Sequence, residues 1–148
     1  MATRGLPTWP WAGLSPEDLR PVEALVLDAV RAWVEATRCG AQPALAARLP
    51  LATEDVADAA DPLDAALRAL ACPGGMGCRL CPRVTAAEAR FLTGLALAQR
   101  GTNREAVACF LRLAPPAAAC AALAPSVAFG QVLRRAGLLL THPLRPGG

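Results

Sequence analysis

The apolar residues of this 148-residue chain are mostly alanine, leucine and valine, with no isoleucine and only three tryptophans and three phenylalanines. Small and γ-branched side chains suit helices that pack closely. A sheet needs β-branched and aromatic residues in alternation, and such a pattern is nearly absent here. The length fits one domain with a substantial core. The expectation is therefore an all-α fold, a single domain of six or seven helices over residues 15–140. An N-terminal Trp/Pro arm, 1–14, precedes it and a fraying tail, 141–148, follows.

Capping signals and apolar stripes place the helices. Ser15-Pro16-Glu17-Asp18 reads as a helix start, with Ser15 as the cap. The next helix runs to about Arg38 and stops before Gly40. Its apolar stripe is Val22, Leu25, Val26, Ala29, Val30 and Trp33; its polar stripe is Asp28, Arg31, Glu35 and Arg38. Residues 42–60 suggest one or two short helices broken by Pro50. Asp61-Pro62 opens another, with Leu63, Ala66, Leu67 and Leu70 on one face. Thr85-Ala-Ala-Glu88 is a capping box for a helix to about Arg100, with Phe91, Leu92, Leu95 and Ala98 inward. Asn103 caps the next, a short alanine-rich helix spans roughly 117–123, and a last one runs from Ser126 to about Arg135.

Residues 88–137 resemble a tetratricopeptide helical hairpin. Gly94 and Gly101 lie seven apart, followed by Ala106 and Phe110; Gly130 and Gly137 repeat the seven-residue spacing. That family places small residues, alanine and an aromatic at such intervals so that paired helices approach closely. The sequence departs from the pattern at Arg90 and Thr93, where a tryptophan and a leucine are usual. The resemblance implies a surface that binds a peptide or protein rather than a catalyst.

Chemistry concentrates in the loop Cys72-Pro-Gly-Gly-Met-Gly-Cys78-Arg-Leu-Cys81-Pro. A Cys-x-x-Cys turn lets two thiolates reach one ion, and glycines let the chain wrap it. If the loop holds a metal, zinc is the first candidate, with Cys72, Cys78 and Cys81 as ligands and Cys39 as the fourth, ahead of His142. An iron–sulfur cluster fits the spacing less well. Thiol redox chemistry is the other reading, with Arg79, Arg83 and the helix start at Thr85 favouring thiolates. Ahead of any one of these stands the plainest reading, an inert loop whose thiols act as small apolar residues and whose Leu80 packs inward.

The rest of the chain argues against catalysis. His142 is the lone histidine, Ser15 and Ser126 are the only serines, and lysine and tyrosine are absent. A Ser-His-acid triad, a Schiff-base lysine and a tyrosine acid are thereby excluded or disfavoured. The carboxylates at 54, 55, 58, 61 and 64 read as helix starts and a solvated face. Arg134 and Arg135 on the last helix form no continuous basic stripe, which disfavours nucleic acid. Residues 1–64 carry a net −5 and residues 65–148 a net +8, an asymmetry best explained by the two halves facing each other.

Residues 113–133 are uncharged, but Pro115, Pro116 and Pro125 argue against a membrane span. No secretory signal is evident, so the expected place is the cytoplasm, with reduced or metal-bound thiols. The lysine-free composition fits a high-GC bacterial coding sequence. Trp9 and Trp11 either fold back onto the body or anchor a partner. The functional expectation is a non-catalytic helical protein acting through another protein, with zinc as the candidate stabiliser of its cysteine loop. The alternative is a metal- or redox-sensing regulator using Cys72, Cys78 and Cys81.

Overall fold

The computed structural model describes residues 10–71 and 73–143. Among them are seven α-helices, two short 3-10 turns and no strand. The helices are α1 (Pro21–Cys39), α2 (Pro43–Ala52), α3 (Ala60–Ala69), α4 (Ala86–Gln99), α5 (Asn103–Phe110), α6 (Pro116–Ala121) and α7 (Leu123–Arg135). The 3-10 turns are Pro16–Asp18 and Ala57–Ala59.

The helix α1 lies along α2 and touches α4 with its other side; α3 bridges α2 and α7; α4 runs between α5 and α7. Two elements are more enclosed than a one-sided stripe implies. Eleven of the nineteen residues of α1 are buried, Leu27, Ala32, Val34 and Ala36 among them. In α4 twelve of fourteen are buried, because its apolar residues go all the way round and neighbours cover every side. Gly40 ends α1 in the left-handed conformation, at φ 72°, where its amide reaches the carbonyls of Ala36 and Thr37.

Several local expectations are corrected. Ser15 makes no side-chain cap; its carbonyl instead accepts the Asp18 amide at 2.9 Å. Pro50 does not break α2 but sits inside its last turn, where the helix ends two residues later. Thr102 rather than Asn103 occupies the cap position of α5, and its hydroxyl donates to the Leu97 carbonyl at 2.9 Å. The last helix begins at Leu123, so Ser126 lies within it, donating to the Ala122 carbonyl at 2.7 Å. The run Pro116–Arg135 is long and apolar enough by composition to cross a membrane; here it is divided at Ala122 and packs partly against α3, α4 and α5.

Glycines set two of the helix contacts. A Cβ on Gly94 would lie 2.4 Å from Phe110 Cε1, so the ring occupies the space that a side chain would take. A Cβ on Gly130 would lie 2.8 Å from Gln99 Cα. Gln99 cannot move aside, since its Nε2 donates to the carbonyls of Gly130 and Leu138 and its Oε1 accepts the Leu140 amide. Gly130→Ala is therefore expected to cost about 1–3 kcal/mol in denaturant unfolding, more than the helix propensity that alanine restores. An unchanged or raised stability would mean that α4 and α7 slide apart freely.

The arm folds back. Trp11 is buried in the core cluster, Gly13 donates to the Val84 carbonyl at 2.9 Å, and the Val84 amide donates to Leu14 at 2.8 Å. Trp11 is thus core and not a free anchor for a partner, because pairing of residues 13–14 with Val84 carries its ring inward. Trp9 lies outside the described residues.

Candidate functional site

Between α3 and α4 the chain turns through the cysteine loop, and one residue of α1 organises that turn from below. Arg31, expected in a polar stripe beside Asp28 and Glu35, is 3% exposed. Its Nε donates to Glu88 Oε2 at 2.8 Å and its Nη2 to Glu88 Oε1 at 3.0 Å, the forked geometry that guanidinium and carboxylate share. Its Nη1 donates to the Cys81 carbonyl and its Nη2 to the Arg83 carbonyl, both at 3.0 Å. The same Glu88 closes the capping box: the Thr85 amide donates to Oε1 at 2.9 Å, and the Glu88 amide donates to Thr85 Oγ1 at 3.1 Å. One buried ion pair therefore joins α1, the cysteine turn and the first turn of α4. The hydrogen bond to Glu88 holds the Arg31 guanidinium above its ordinary pKa, against the cost of burial.

Gly77 makes room for this pair. A Cβ there would sit 3.1 Å from Glu88 Oε1 and 3.2 Å from Arg31 Nη2. The loop can thus lie directly on the charges and exclude water from them.

The turn itself is exposed. The Cys81 amide donates to the Cys78 carbonyl at 3.1 Å, closing a four-residue turn. The Cys78 amide donates to Cys81 Sγ at 3.0 Å, and the two sulfurs are 3.1 Å apart as free thiols. The hydrogen bond from the Cys81 thiol, followed by the Leu80 backbone amide, holds the Cys78 thiol below its ordinary pKa. Cys78 is solvent-exposed and Cys81 half-buried. Arg79 and Arg83 are engaged elsewhere, Arg79 with Glu35 at 3.5 Å and Arg83 with the Gly13 carbonyl at 2.8 Å.

The structure brings only part of the expected metal set together. Cys78 and Cys81 meet. Cys39 is exposed at the end of α1, beside a shallow groove that it lines with Glu35, Leu49, Pro50 and Arg79. Among the described residues no group of three His, Cys, Asp or Glu side chains is placed to hold an ion. Cys72 lies outside the described residues. The remaining thiols differ: Cys120 is exposed, whereas burial pushes the Cys109 thiol up to about 11.

Leu80 is a further correction. It is 91% exposed at the tip of the turn rather than packed inward, because Arg31 pins the Cys81 carbonyl on the inner side. Leu49 and Pro50 of α2 line a groove with it. The carboxylates of residues 54, 55, 58 and 61 are exposed; Asp64 instead accepts from Trp33 Nε1 at 2.7 Å and from Arg68.

Sequence reasoning missed Arg31 and half of the role of Glu88. The available signal was a glycine-rich loop next to a capping box, which showed that something must fit beneath the loop but not which side chain. Comparison with family models, curated proteins and solved structures found no match for this chain.

Proposed function

We propose that the protein is a non-catalytic, redox-responsive interaction module whose working element is the Cys78/Cys81 turn. The observation that carries this reading is the pair of free thiols 3.1 Å apart on an exposed turn. A disulfide needs the sulfurs about 2.05 Å apart, so closure calls for a small movement. Cys81 is held through its carbonyl by Arg31, whereas Cys78 is open to solvent, so Cys78 is the member that moves and meets the oxidant.

With a low-molecular-weight disulfide as oxidant, the steps balance. The Cys78 thiolate attacks one sulfur of glutathione disulfide and expels a glutathione thiolate. Cys81 then loses its proton and attacks the mixed disulfide at Cys78, expelling the second glutathione. Two protein thiols are oxidised and one glutathione disulfide is reduced to two thiols. Exposed Leu80 lies between the two cysteines, so closing or opening the turn changes the apolar surface shown to a partner protein.

The test is incubation of the reduced full chain with glutathione disulfide, followed by alkylation and peptide mass spectrometry. The expected product is an internal Cys78–Cys81 disulfide, with Cys78→Ser blocking it. A stable glutathione adduct on Cys78 with no internal disulfide would overturn the reading.

A further inference from the structure

The same turn has a capacity that needs no electron transfer. We propose that the reduced Cys78/Cys81 pair is a two-coordinate site for a soft monovalent metal ion, Cu(I). Thiolate ligands select Cu(I), zinc and iron–sulfur clusters over harder ions. Zinc in a structural site takes four ligands in a tetrahedron. Among the described residues the Cys78 and Cys81 thiols meet, and no third His, Cys, Asp or Glu side chain joins them. The nearby carboxylate of Glu35 faces Arg79 at 3.5 Å. A close pair of sulfurs is a donor set for a soft ion content with low coordination.

The geometry suits entry of such an ion. Cys78 is exposed, so its sulfur can swing away from Cys81 and admit the ion between them. Cys81 is fixed at the other end, through its carbonyl on Arg31 Nη1 and its amide on the Cys78 carbonyl. The Cys78 amide, 3.0 Å from Cys81 Sγ, is a ready donor to a metal-bound thiolate. Binding converts two thiols to thiolates and releases two protons to solvent; two metal–sulfur bonds form and the complex carries one negative charge.

The test titrates Cu(I) into the reduced full chain under anaerobic conditions, in competition with a coloured Cu(I) chelator. The expected result is one tight equivalent. Cys78→Ser and Cys81→Ser are each expected to weaken binding roughly a hundredfold or more, the advantage of two linked ligands over one. Cys39→Ser and Cys72→Ser should leave it unchanged. In the unmutated protein, Cu(I) should protect Cys78 and Cys81 but not Cys120 from alkylation, a readout independent of whether any variant folds. Full affinity in Cys78→Ser, loss in Cys39→Ser or Cys72→Ser, or absent protection would each overturn the proposal. If glutathione disulfide closes the turn but Cu(I) does not bind, this inference alone falls; if Cu(I) binds and no disulfide forms, the redox reading alone falls.

Discussion

Arg31→Ala should destabilise the protein by about 3–5 kcal/mol, the usual cost of removing one partner of a buried ion pair. The side chains of Arg31 and Glu88 are 4% and 0% exposed, so alanine leaves a buried carboxylate without its cation. The loss extends further, because the carbonyls of Cys81 and Arg83 also lose their guanidinium donor. For a chain of this size the melting temperature should fall by roughly 10 °C or more. Arg31→Lys keeps the charge but cannot serve the carboxylate and two carbonyls from a rigid fork, so it should fall between alanine and the parent. Denaturant unfolding checks both variants. A loss below about 1 kcal/mol for Arg31→Ala, the range of exposed pairs, would mean that water already reaches Glu88.

The second large effect is expected at the contact of α4 with α5. Phe110 is fully buried, and its ring centroid lies 6.1 Å from that of Phe91, tilted by 40°. Phe110→Ala removes a whole ring from a packed core and should cost about 3–5 kcal/mol. Gly94 makes the experiment more telling. In the parent protein Gly94→Ala drives a methyl into the Phe110 ring and should cost about 1–3 kcal/mol. In a Phe110→Ala background the ring is gone, and the same change should instead gain up to about 1 kcal/mol, because glycine is a poor helix residue. A double-mutant cycle measures this reversal. If the two changes add within about 0.5 kcal/mol, the glycine is not there to admit the ring.

Local pattern made much of the fold legible. Leu25, Val26, Ala29, Val30 and Trp33 recur at helical spacing and are buried in α1; Leu63, Ala66, Leu67 and Leu70 are buried at α3. The Thr85–Glu88 capping box forms as read, since both of its hydrogen bonds lie within one turn. Cys78 and Cys81 meet because a three-residue offset in a turn leaves them little choice. Each of these depends on residues a few positions apart, and periodicity reports such neighbours directly.

What failed was long-range. Arg31 sits at the right spacing for a polar stripe with Asp28 and Glu35, and nothing nearby distinguishes it from them. Its partner Glu88 is 57 residues away, on a helix whose position against α1 follows from packing of the whole chain. Long-range placement also decided between the two readings of Trp11, which is buried next to the pairing of Gly13 and Leu14 with Val84, and turned Leu80 outward, where Cys81 is held. The sequence by itself determined an all-α chain, the run of its helices and a thiol pair in a glycine-rich turn. Only the tertiary structure decided which charges are buried, which apolar residues face water and what supports that turn. Helix periodicity says which face is apolar, whereas a charged side chain goes inside only where a distant partner meets it and replaces its lost water.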